Sequence, residues 1–130
     1  MENRHKRMIA SVLAMLLLSV GVTLAQEQNS IVRLAKLVID PAHLDAYQAA
    51  LKEEIETSIR VEPGVITLYA VAEKNNPSHI TIFETYANQA AYQSHLETPH
   101  FKKYKGATKD MVKSLELVEV NPVMLGAKKK

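Results

Sequence analysis

Hydrophobic and polar positions change their period several times along this chain, and each change marks a predicted strand or helix. Residues 30–39 (SIVRLAKLVI) are apolar at both odd and even positions, which is typical of a strand buried on both faces. Asp40-Pro41 ends this strand, because proline has no N–H to donate to a neighbouring strand. From His43 the apolar residues recur at intervals of three and four, which predicts an amphipathic helix with the stripe Leu44, Tyr47, Leu51, Ile55 and Ile59.

The next segment predicts a β-hairpin. Pro63-Gly64 ends the first helix, and residues 65–72 (VITLYAVA) have the β-branched content of a second strand. Residues 74–78 (KNNPS) favour a turn, and Ile80 to Tyr86 (ITIFETY) form a third strand. Because the connection between these two strands is short, we expect them to pair with each other.

The second helical region is predicted to contain a break. Asn88 can cap a short helix that runs through Leu96. Thr98-Pro99 then opens another helix, since proline is tolerated at the first helical position. The inward stripe of this helix is predicted to be Phe101, Tyr104, Thr108, Met111 and Val112. Residues 114–120 (SLELVEV) alternate as a fourth strand, which Asn121-Pro122 ends.

The order of these elements is β-α-β-β-α-β, which predicts an α+β protein with the ferredoxin-like fold. In this fold a four-stranded antiparallel sheet carries both helical regions on one face. The predicted strands are apolar at both parities, so the opposite face also needs a cover. Because the chain offers no third layer, a second copy of the same sheet is the simplest cover, and we expect a homodimer.

The N-terminal segment has the pattern of a signal peptide. Three basic residues within the first seven positions provide a positive start, residues 8–24 are uncharged and largely apolar, and small residues precede Gln26. We therefore expect residues 1–25 to be removed on export to the periplasm. A retained N-terminal anchor is the alternative, because the uncharged run approaches the length of a short membrane span. The mature domain would be 26–130, with its core at 31–122 and no stable membrane anchor.

Charge and cysteine content exclude several classes of protein. The chain has sixteen Lys and Arg residues and fourteen Asp and Glu residues, but three of the basic and one of the acidic residues lie in the predicted signal peptide. Thirteen of each remain, so the mature domain lacks the basic footprint of a nucleic-acid-binding protein. Without cysteine, an exported fold must be stabilised by its core or by oligomerisation. The lysines at 128–130 are expected to form a solvated tail.

The residues best suited to chemistry lie between Glu84 and Tyr104. Glu84 and Tyr86 are two apart on one predicted strand and therefore project from the same face. His95 lies near the end of a short predicted helix, and His100 lies at the start of the next one. We expect His95 or His100 to act in ligand binding or proton transfer, with Glu84 as the carboxylate that orients it. The structural alternatives are histidines that cap helix ends and a glutamate at an exposed strand end.

The spacing of possible ligands favours neither a metal ion nor a nucleotide cofactor. The two histidines flank a helix break, and no third metal ligand stands at a recognised spacing from them. The chain has four glycines and contains no glycine-rich phosphate loop, no dinucleotide fingerprint and no G-x-S-x-G motif. We therefore predict that the site contains no metal and no cofactor.

Residues 84–104 (ETYANQAAYQSHLETPHFKKY), followed by the strand 114–120, resemble the antibiotic biosynthesis monooxygenase (ABM) superfamily, especially its small quinol-monooxygenase-like members. The resemblance covers roughly residues 31–122. It implies a ferredoxin-like fold that dimerises into an α/β barrel, with cavities between helices and sheet. It also implies that dioxygen oxygenates a small quinol, phenolic or aromatic substrate without metal, flavin or haem.

The resemblance also implies roles for individual residues. His95 or His100 would be the base that deprotonates the substrate, and Glu84 would orient that base. The substrate pocket would be lined by aromatic side chains, namely Tyr69, Tyr86, Tyr104 and Phe101.

The chain departs from the haem-degrading members of this superfamily. Tyr86 fills their tryptophan position, Lys105 stands near their haem-ligating histidine, and no asparagine occurs between Ile31 and Ile39. Haem degradation is therefore not expected. The superfamily also contains an isomerase, so the fold alone does not fix the reaction. A binding dimer without enzymatic activity and an isomerase remain the alternatives to a monooxygenase.

Overall fold

The computed structural model describes residues 29–130, and this part of the chain contains four strands, three α-helices and one short 3-10 helix. The strands are β1 (Ile31–Ile39), β2 (Val65–Ala72), β3 (His79–Tyr86) and β4 (Val112–Glu119). The helices are α1 (Leu44–Val61), α2 (Gln89–Leu96) and α3 (Pro99–Thr108), and the 3-10 helix is Pro41–His43. The predicted signal peptide, residues 1–25, lies outside the described residues.

The strands form one antiparallel sheet in the order β2-β3-β1-β4. Strand β1 is central and pairs with β3 on one side and β4 on the other, whereas β2 and β3 form the predicted hairpin. Helix α1 packs on β2 and on α3, and α2 packs on β2 and β3. This arrangement confirms the predicted ferredoxin-like α+β fold.

Side-chain caps fix the starts of the helical segments. Asp40 accepts a hydrogen bond from the Ala42 amide at 3.0 Å and so begins the 3-10 helix. Asn88 accepts from the Ala91 amide at 2.8 Å and caps α2. Thr98 accepts from the amide three residues later, and proline occupies the first position of α3, as predicted. The break between α2 and α3 therefore has a local chemical cause.

The main core lies between the sheet and α1. It contains buried apolar residues from β1, β3 and α1, namely Ala35, Leu37, Ile39, Ile80, Ile82, Tyr47 and Leu51. The predicted stripe of α1 is wrong at its end, because Ile59 is 49% exposed. The buried face continues instead through Glu54 and Ser58. Successive spacings of four, three and four residues keep Tyr47, Leu51, Glu54 and Ser58 on one helix face, and Ile59 falls outside it.

The junction of α3 and β4 lies earlier than predicted. Helix α3 ends at Thr108, so Met111 and Val112 are not helical, although both pack on the core. The Met111 amide donates a hydrogen bond to the Thr108 carbonyl at 2.9 Å. The Met111 carbonyl accepts a hydrogen bond from the Asp40 amide at 2.8 Å. These bonds turn the chain directly into β4, which therefore begins two residues before the predicted strand.

The sheet face opposite the helices carries apolar side chains without a covering layer among residues 29–130. Leu34, Phe83 and Tyr69 share this face because they pair across adjacent strands. Tyr69 is 65% exposed and Val71, two residues further along β2, is 64% exposed. The homodimer therefore stays a prediction with a defined candidate surface. None of the helices in this part of the chain has the length and apolar character needed to cross a membrane.

Candidate active site

His95 is a buried histidine in the last turn of α2. The residue is only 3% exposed. The ring centre lies 4.9 Å from that of Phe101 on α3 and 5.3 Å from that of Tyr86 on β3. The imidazole is therefore held between aromatic rings that come from two different elements.

Glu62, the residue that follows α1, joins the two predicted histidines. Its Oε2 atom lies 3.0 Å from His95 Nδ1 and 2.7 Å from His100 Nε2. A carboxylate oxygen can only accept a hydrogen bond, so each ring nitrogen carries a proton and donates a hydrogen bond to Glu62. When Nδ1 of His95 carries the proton in the neutral ring, Nε2 is left as the acceptor. The carboxylate therefore selects the tautomer of His95 and fixes its orientation.

A second carboxyl group, Glu54 on α1, lies on the other side of the His95 ring. Its Oε1 atom is 3.5 Å from His95 Nε2 and accepts a hydrogen bond from Ser58 at 2.7 Å. Burial raises the pKa of Glu54 above its ordinary value, and Ser58 and His95 only partly oppose this effect. The two carboxyls around His95 are thus held in different environments.

The pKa of Glu62 moves in the opposite direction. Burial alone would raise the pKa, but the hydrogen bonds from His100 and His95 lower it below the ordinary value. Glu62 is therefore ionised at neutral pH, whereas Glu54 tends towards the protonated form. Neighbouring titratable groups whose pKa values are driven apart are a common feature of acid–base sites.

A cavity of about 300 Å³ lies between the helices and the sheet, next to His95. Its wall includes five of the predicted site residues, namely Glu84, Tyr86, His95, Phe101 and Tyr104. Apolar residues complete it, among them Ala35, Leu37, Leu51, Leu68, Ile82, Leu115 and Leu117. The structure thus brings most of the predicted site together around one cavity.

Two predicted site residues lie elsewhere. Tyr69 is largely exposed on the opposite side of β2 and does not line this cavity. His100 is also absent from the cavity wall and instead borders grooves on the outer side of α1 and α3. Of the two histidines, only His95 meets the cavity.

Glu84 lines the cavity but does not hold a histidine. Its Oε2 atom accepts a hydrogen bond from the Tyr86 hydroxyl at 3.4 Å. Burial raises the pKa of Glu84, although the positive charge of Arg33 acts against this shift. The orienting contacts of His95 come from Glu62 and Glu54 instead.

The phenols of the cavity are held in their neutral form. The hydroxyl groups of Tyr104 and Tyr47 lie 2.6 Å apart, and Tyr47 is fully buried. Burial is the main cause that raises the pKa of both Tyr86 and Tyr104. At neutral pH each hydroxyl therefore carries one proton. Tyr86 donates its hydrogen bond to Glu84, whereas Tyr104 can donate to an oxygen atom in the cavity when Tyr47 is the donor in their shared hydrogen bond.

Sequence reasoning missed three charged residues of this site, namely Arg33, Glu54 and Glu62. Glu54 stands on the buried stripe of α1, three residues after Leu51 and four before Ser58, and this position was a usable signal. Arg33 is the charged residue of β1 that lies two positions from Ala35 and therefore projects from the same face of the strand. Glu62 gave no signal, because its partner histidines are 33 and 38 residues away.

One group of side chains has ligand types that a metal ion accepts. Glu54, His95 and His100 each offer one ligand atom, and these atoms lie within 4.8 Å of one another. Two imidazole nitrogens and a carboxylate oxygen are a donor set that zinc can use. In the present arrangement, however, His95 Nδ1 and His100 Nε2 are both engaged by Glu62. A metal would have to replace at least one of these hydrogen bonds.

Comparisons with known proteins identify the family of this chain. The antibiotic biosynthesis monooxygenase family matches residues 30–107. A crystal structure from B. thetaiotaomicron VPI-5482, assigned to this class of monooxygenase, has 58% sequence identity and a TM-score of 0.77. The match covers 80% of this chain and 99% of that one.

More distant structures have the same fold. A protein from Lactobacillus acidophilus NCFM, also assigned as a monooxygenase, has 36% sequence identity and a TM-score of 0.67. The match covers 68% of this chain and 42% of the Lactobacillus chain. A protein from Nitrosomonas europaea has 20% identity and a TM-score of 0.68 over 73% of this chain and 91% of its own, which shows the fold alone. A comparison with curated proteins finds no match. The family match and the similarity to the B. thetaiotaomicron protein together show that this chain belongs to the antibiotic biosynthesis monooxygenase family.

Proposed function

We propose that this protein is a monooxygenase that uses dioxygen to oxidise a small quinol or other phenolic compound without a bound cofactor. One observation carries the proposal. A buried histidine, His95, has Nδ1 held by an ionised carboxylate and lies in the wall of a largely apolar cavity with neutral phenols. Membership of the monooxygenase family supports the choice of reaction.

The first proposed step is removal of a phenolic proton by His95. Nε2 accepts the proton, and the resulting imidazolium is stabilised by the carboxylate of Glu62 at Nδ1. Because His95 and Glu62 are both mostly buried, their attraction is screened less than it would be at the surface. The phenol of Tyr104 can donate to an oxygen atom of the substrate when Tyr47 is the donor in the Tyr47–Tyr104 hydrogen bond. The site would thus generate an electron-rich aromatic anion away from bulk water.

The second proposed step is reduction of dioxygen by this anion. For a hydroquinone, one atom of dioxygen forms a new C–O bond on the ring, and the other leaves as water. The substrate supplies four electrons in all and becomes a hydroxyquinone, so no external reductant is needed. The proton taken by His95 returns to the departing oxygen.

The cavity limits the size of the substrate. Its volume of about 300 Å³ stands at the lower end of the roughly 300–1,000 Å³ that small-molecule pockets span. The volume and the aromatic wall suit a compound with one or two rings. Leu115 and Leu117 on the edge strand β4 are 44% and 49% exposed, so this side of the cavity is where a substrate can enter.

The test is oxygen consumption by purified, metal-free protein supplied with a hydroquinone. We expect uptake of one dioxygen per turnover, incorporation of one ¹⁸O atom from ¹⁸O₂ into the product, and no turnover under argon. His95→Gln should lose at least about a hundred-fold in rate, which is the scale of general acid–base catalysis. The matched control is His79→Gln, which changes a half-exposed histidine of the hairpin that lies 3.9 Å from Glu73 and outside the cavity. Equal rates under argon would refute the oxygenase and select an isomerase, and ligand binding without turnover would select a binding protein.

We also propose that the protein acts as an exported homodimer. The exposed apolar positions on the outer face of the sheet support the dimer, and the signal-like pattern of residues 1–25 supports export. Determination of the N-terminus of protein from the periplasmic fraction tests the second point. A mature chain beginning at Gln26 is expected, and an intact N-terminus would indicate the retained anchor.

A further inference from the structure

Arg33 is a charged residue of the cavity wall that the proposed mechanism leaves unused. It lies near the start of the central strand β1, opposite Glu84 of β3 and Glu119 of β4. Its parity is that of Ala35, so it projects to the helix side of the sheet, and it is only 7% exposed. A cation is therefore buried against the same cavity that His95 borders.

In the part of the chain that the structure describes, the guanidinium of Arg33 has no carboxylate at ion-pair distance. Its central carbon lies 4.4 Å from the ring centre of Tyr92, but its Nε atom has no hydrogen-bond partner. Among residues 29–130 no carboxylate forms an ion pair with Arg33 within 4.0 Å. Glu84 acts on it only at longer range, and burial raises the pKa of that carboxyl. Within residues 29–130 the charge of Arg33 is therefore not paired directly with a carboxylate.

Such an arrangement is unusual for a buried arginine. Buried charges are normally paired and hydrogen-bonded, because an unsatisfied donor loses its hydration without compensation. The face of Tyr92 attracts the cation but offers no lone pair in the plane of the guanidinium. Arginine has a planar set of donors that matches a carboxylate or another anionic oxygen. Since Arg33 borders an open cavity, the missing acceptor can come from a ligand.

We propose that the cavity binds aromatic compounds that carry an anionic oxygen, and that Arg33 binds this oxygen. The inference rests on the proposed function, because the anion would be the substrate of the same site. The oxygen has two possible sources, a carboxylate substituent or the phenolate that His95 creates. Lys105 also lines the cavity, and this exposed lysine adds a second positive charge to the cavity wall. Burial favours the neutral forms of Glu54 and Glu84, and this reduces their repulsion of an anion.

The binding experiment compares benzoate with benzamide, which has a similar shape without the charge. Dissociation constants are measured by calorimetry for the wild-type protein, Arg33→Gln and Lys102→Gln. Lys102 is the control, because it is an exposed cation of α3 that pairs with Glu97 and does not line the cavity. We expect wild type and Lys102→Gln to bind benzoate about ten-fold more tightly than benzamide, since charge-assisted hydrogen bonds are stronger than neutral ones. In Arg33→Gln the ratio should fall to about one.

A second arm separates the two sources of the anion. 4-Nitrophenol reports its own ionisation, because its phenolate absorbs at longer wavelength than the phenol. Binding of the phenolate with no preference for benzoate would assign Arg33 to the oxygen of the reacting phenol, and a preference for benzoate would assign it to a carboxylate substituent. If Arg33→Gln does not fold, Arg33→Lys keeps the charge without the planar donors and should give an intermediate ratio.

Two results would overturn the inference. One is equal affinity of the wild-type protein for benzoate and benzamide together with no bound phenolate. The other is a preference for the anion that survives in Arg33→Gln. Neither measurement needs turnover, so anion binding without oxygen consumption would refute the proposed reaction and leave the role of Arg33 standing.

Discussion

Replacement of Glu62 by glutamine is the sharpest test of the site, because it removes one charge and changes almost no volume. The Oε2 atom of Glu62 accepts from His95 Nδ1 at 3.0 Å and from His100 Nε2 at 2.7 Å. A hydrogen bond to a charged group contributes about 1.5–3 kcal/mol, against about 0.5–1.5 kcal/mol for a neutral one. The glutamine oxygen can keep both contacts in neutral form, so each bond should weaken by about 1 kcal/mol. We therefore expect Glu62→Gln to lower the free energy of unfolding by about 2 kcal/mol.

The same change should affect catalysis. If the imidazolium of His95 loses the roughly 1 kcal/mol that belongs to its own bond with Glu62, kcat should fall about five-fold. Stability is measured by urea unfolding followed by circular dichroism, at one fixed protein concentration because an oligomer would make the midpoint concentration-dependent. The control is Glu97→Gln, which removes an exposed ion pair to Lys102 and should change stability by less than about 1 kcal/mol.

The pH dependence of this stability difference has a definite sign. The pKa of Glu62 is lowered in the folded protein, so the unfolded chain binds the proton more readily than the folded one. The stabilising contribution is therefore complete above the unfolded value of about 4.3 and is lost as the pH falls through the lower folded value. We expect the wild type and Glu62→Gln to differ most near neutral pH and to converge below about pH 4. A difference that is zero at neutral pH, or that persists unchanged in acid, would refute the reasoning.

Three further predictions concern the two histidines, the turn after α1 and the outer face of the sheet. His95→Gln should abolish most of the activity, whereas His100→Gln should reduce kcat by about ten-fold or less. The reason is that, of these two histidines, only His95 lines the cavity. A larger loss in His100→Gln than in His95→Gln, measured in a steady-state assay, would exclude His95 as the base. Gly64→Ala should lower stability by about 1–3 kcal/mol in thermal unfolding, because its Cβ would lie 2.5 Å from the Cβ of Ala91 on α2. The double variant with Ala91→Gly should regain that loss, and a failure to do so would mean that the contact is not the cause. Val71→Asp should give monomers in sedimentation experiments, whereas a wild-type protein that is already monomeric would remove the dimer from the proposal.

The fold could be predicted from sequence because its signals are local. Asparagine and threonine at the helix starts accept hydrogen bonds from amides three residues later, and proline fits the first helical position. These residues marked the break between α2 and α3 correctly. The strand of residues 31–39 was recognisable from its apolar run. Errors occurred where a long-range contact decides the outcome. The bond from the Asp40 amide to the Met111 carbonyl ties the junction of α3 and β4 to β1 and draws Met111 and Val112 out of the helix.

The site was predictable only in part, for the same physical reason. Histidines and aromatic residues that are close in sequence reached the same region, and this proximity made His95 a candidate. The carboxylates that hold the histidine come from α1 and the turn after it, far away in sequence, so no spacing rule connects them. Glu84 was selected because it is near in sequence, but its contact is to Tyr86. A buried charge such as Arg33 becomes recognisable as a functional candidate only once the structure of residues 29–130 shows that its Nε atom has no hydrogen-bond partner there.

The arrangement of His100, Glu62 and His95 also gives the two histidines different roles in the proposed mechanism. The exposed fraction of the side chain falls from 16% at His100 through 11% at Glu62 to 4% at His95, so the three groups lead from the outer surface to the cavity. The 2.7 Å bond from His100 helps to lower the pKa of Glu62 and thereby keeps it ionised next to His95. An ionised Glu62 favours the imidazolium that forms when His95 accepts a proton. In the proposed mechanism His100 therefore acts through Glu62, as a positioning residue, and its loss should weaken the base without removing it.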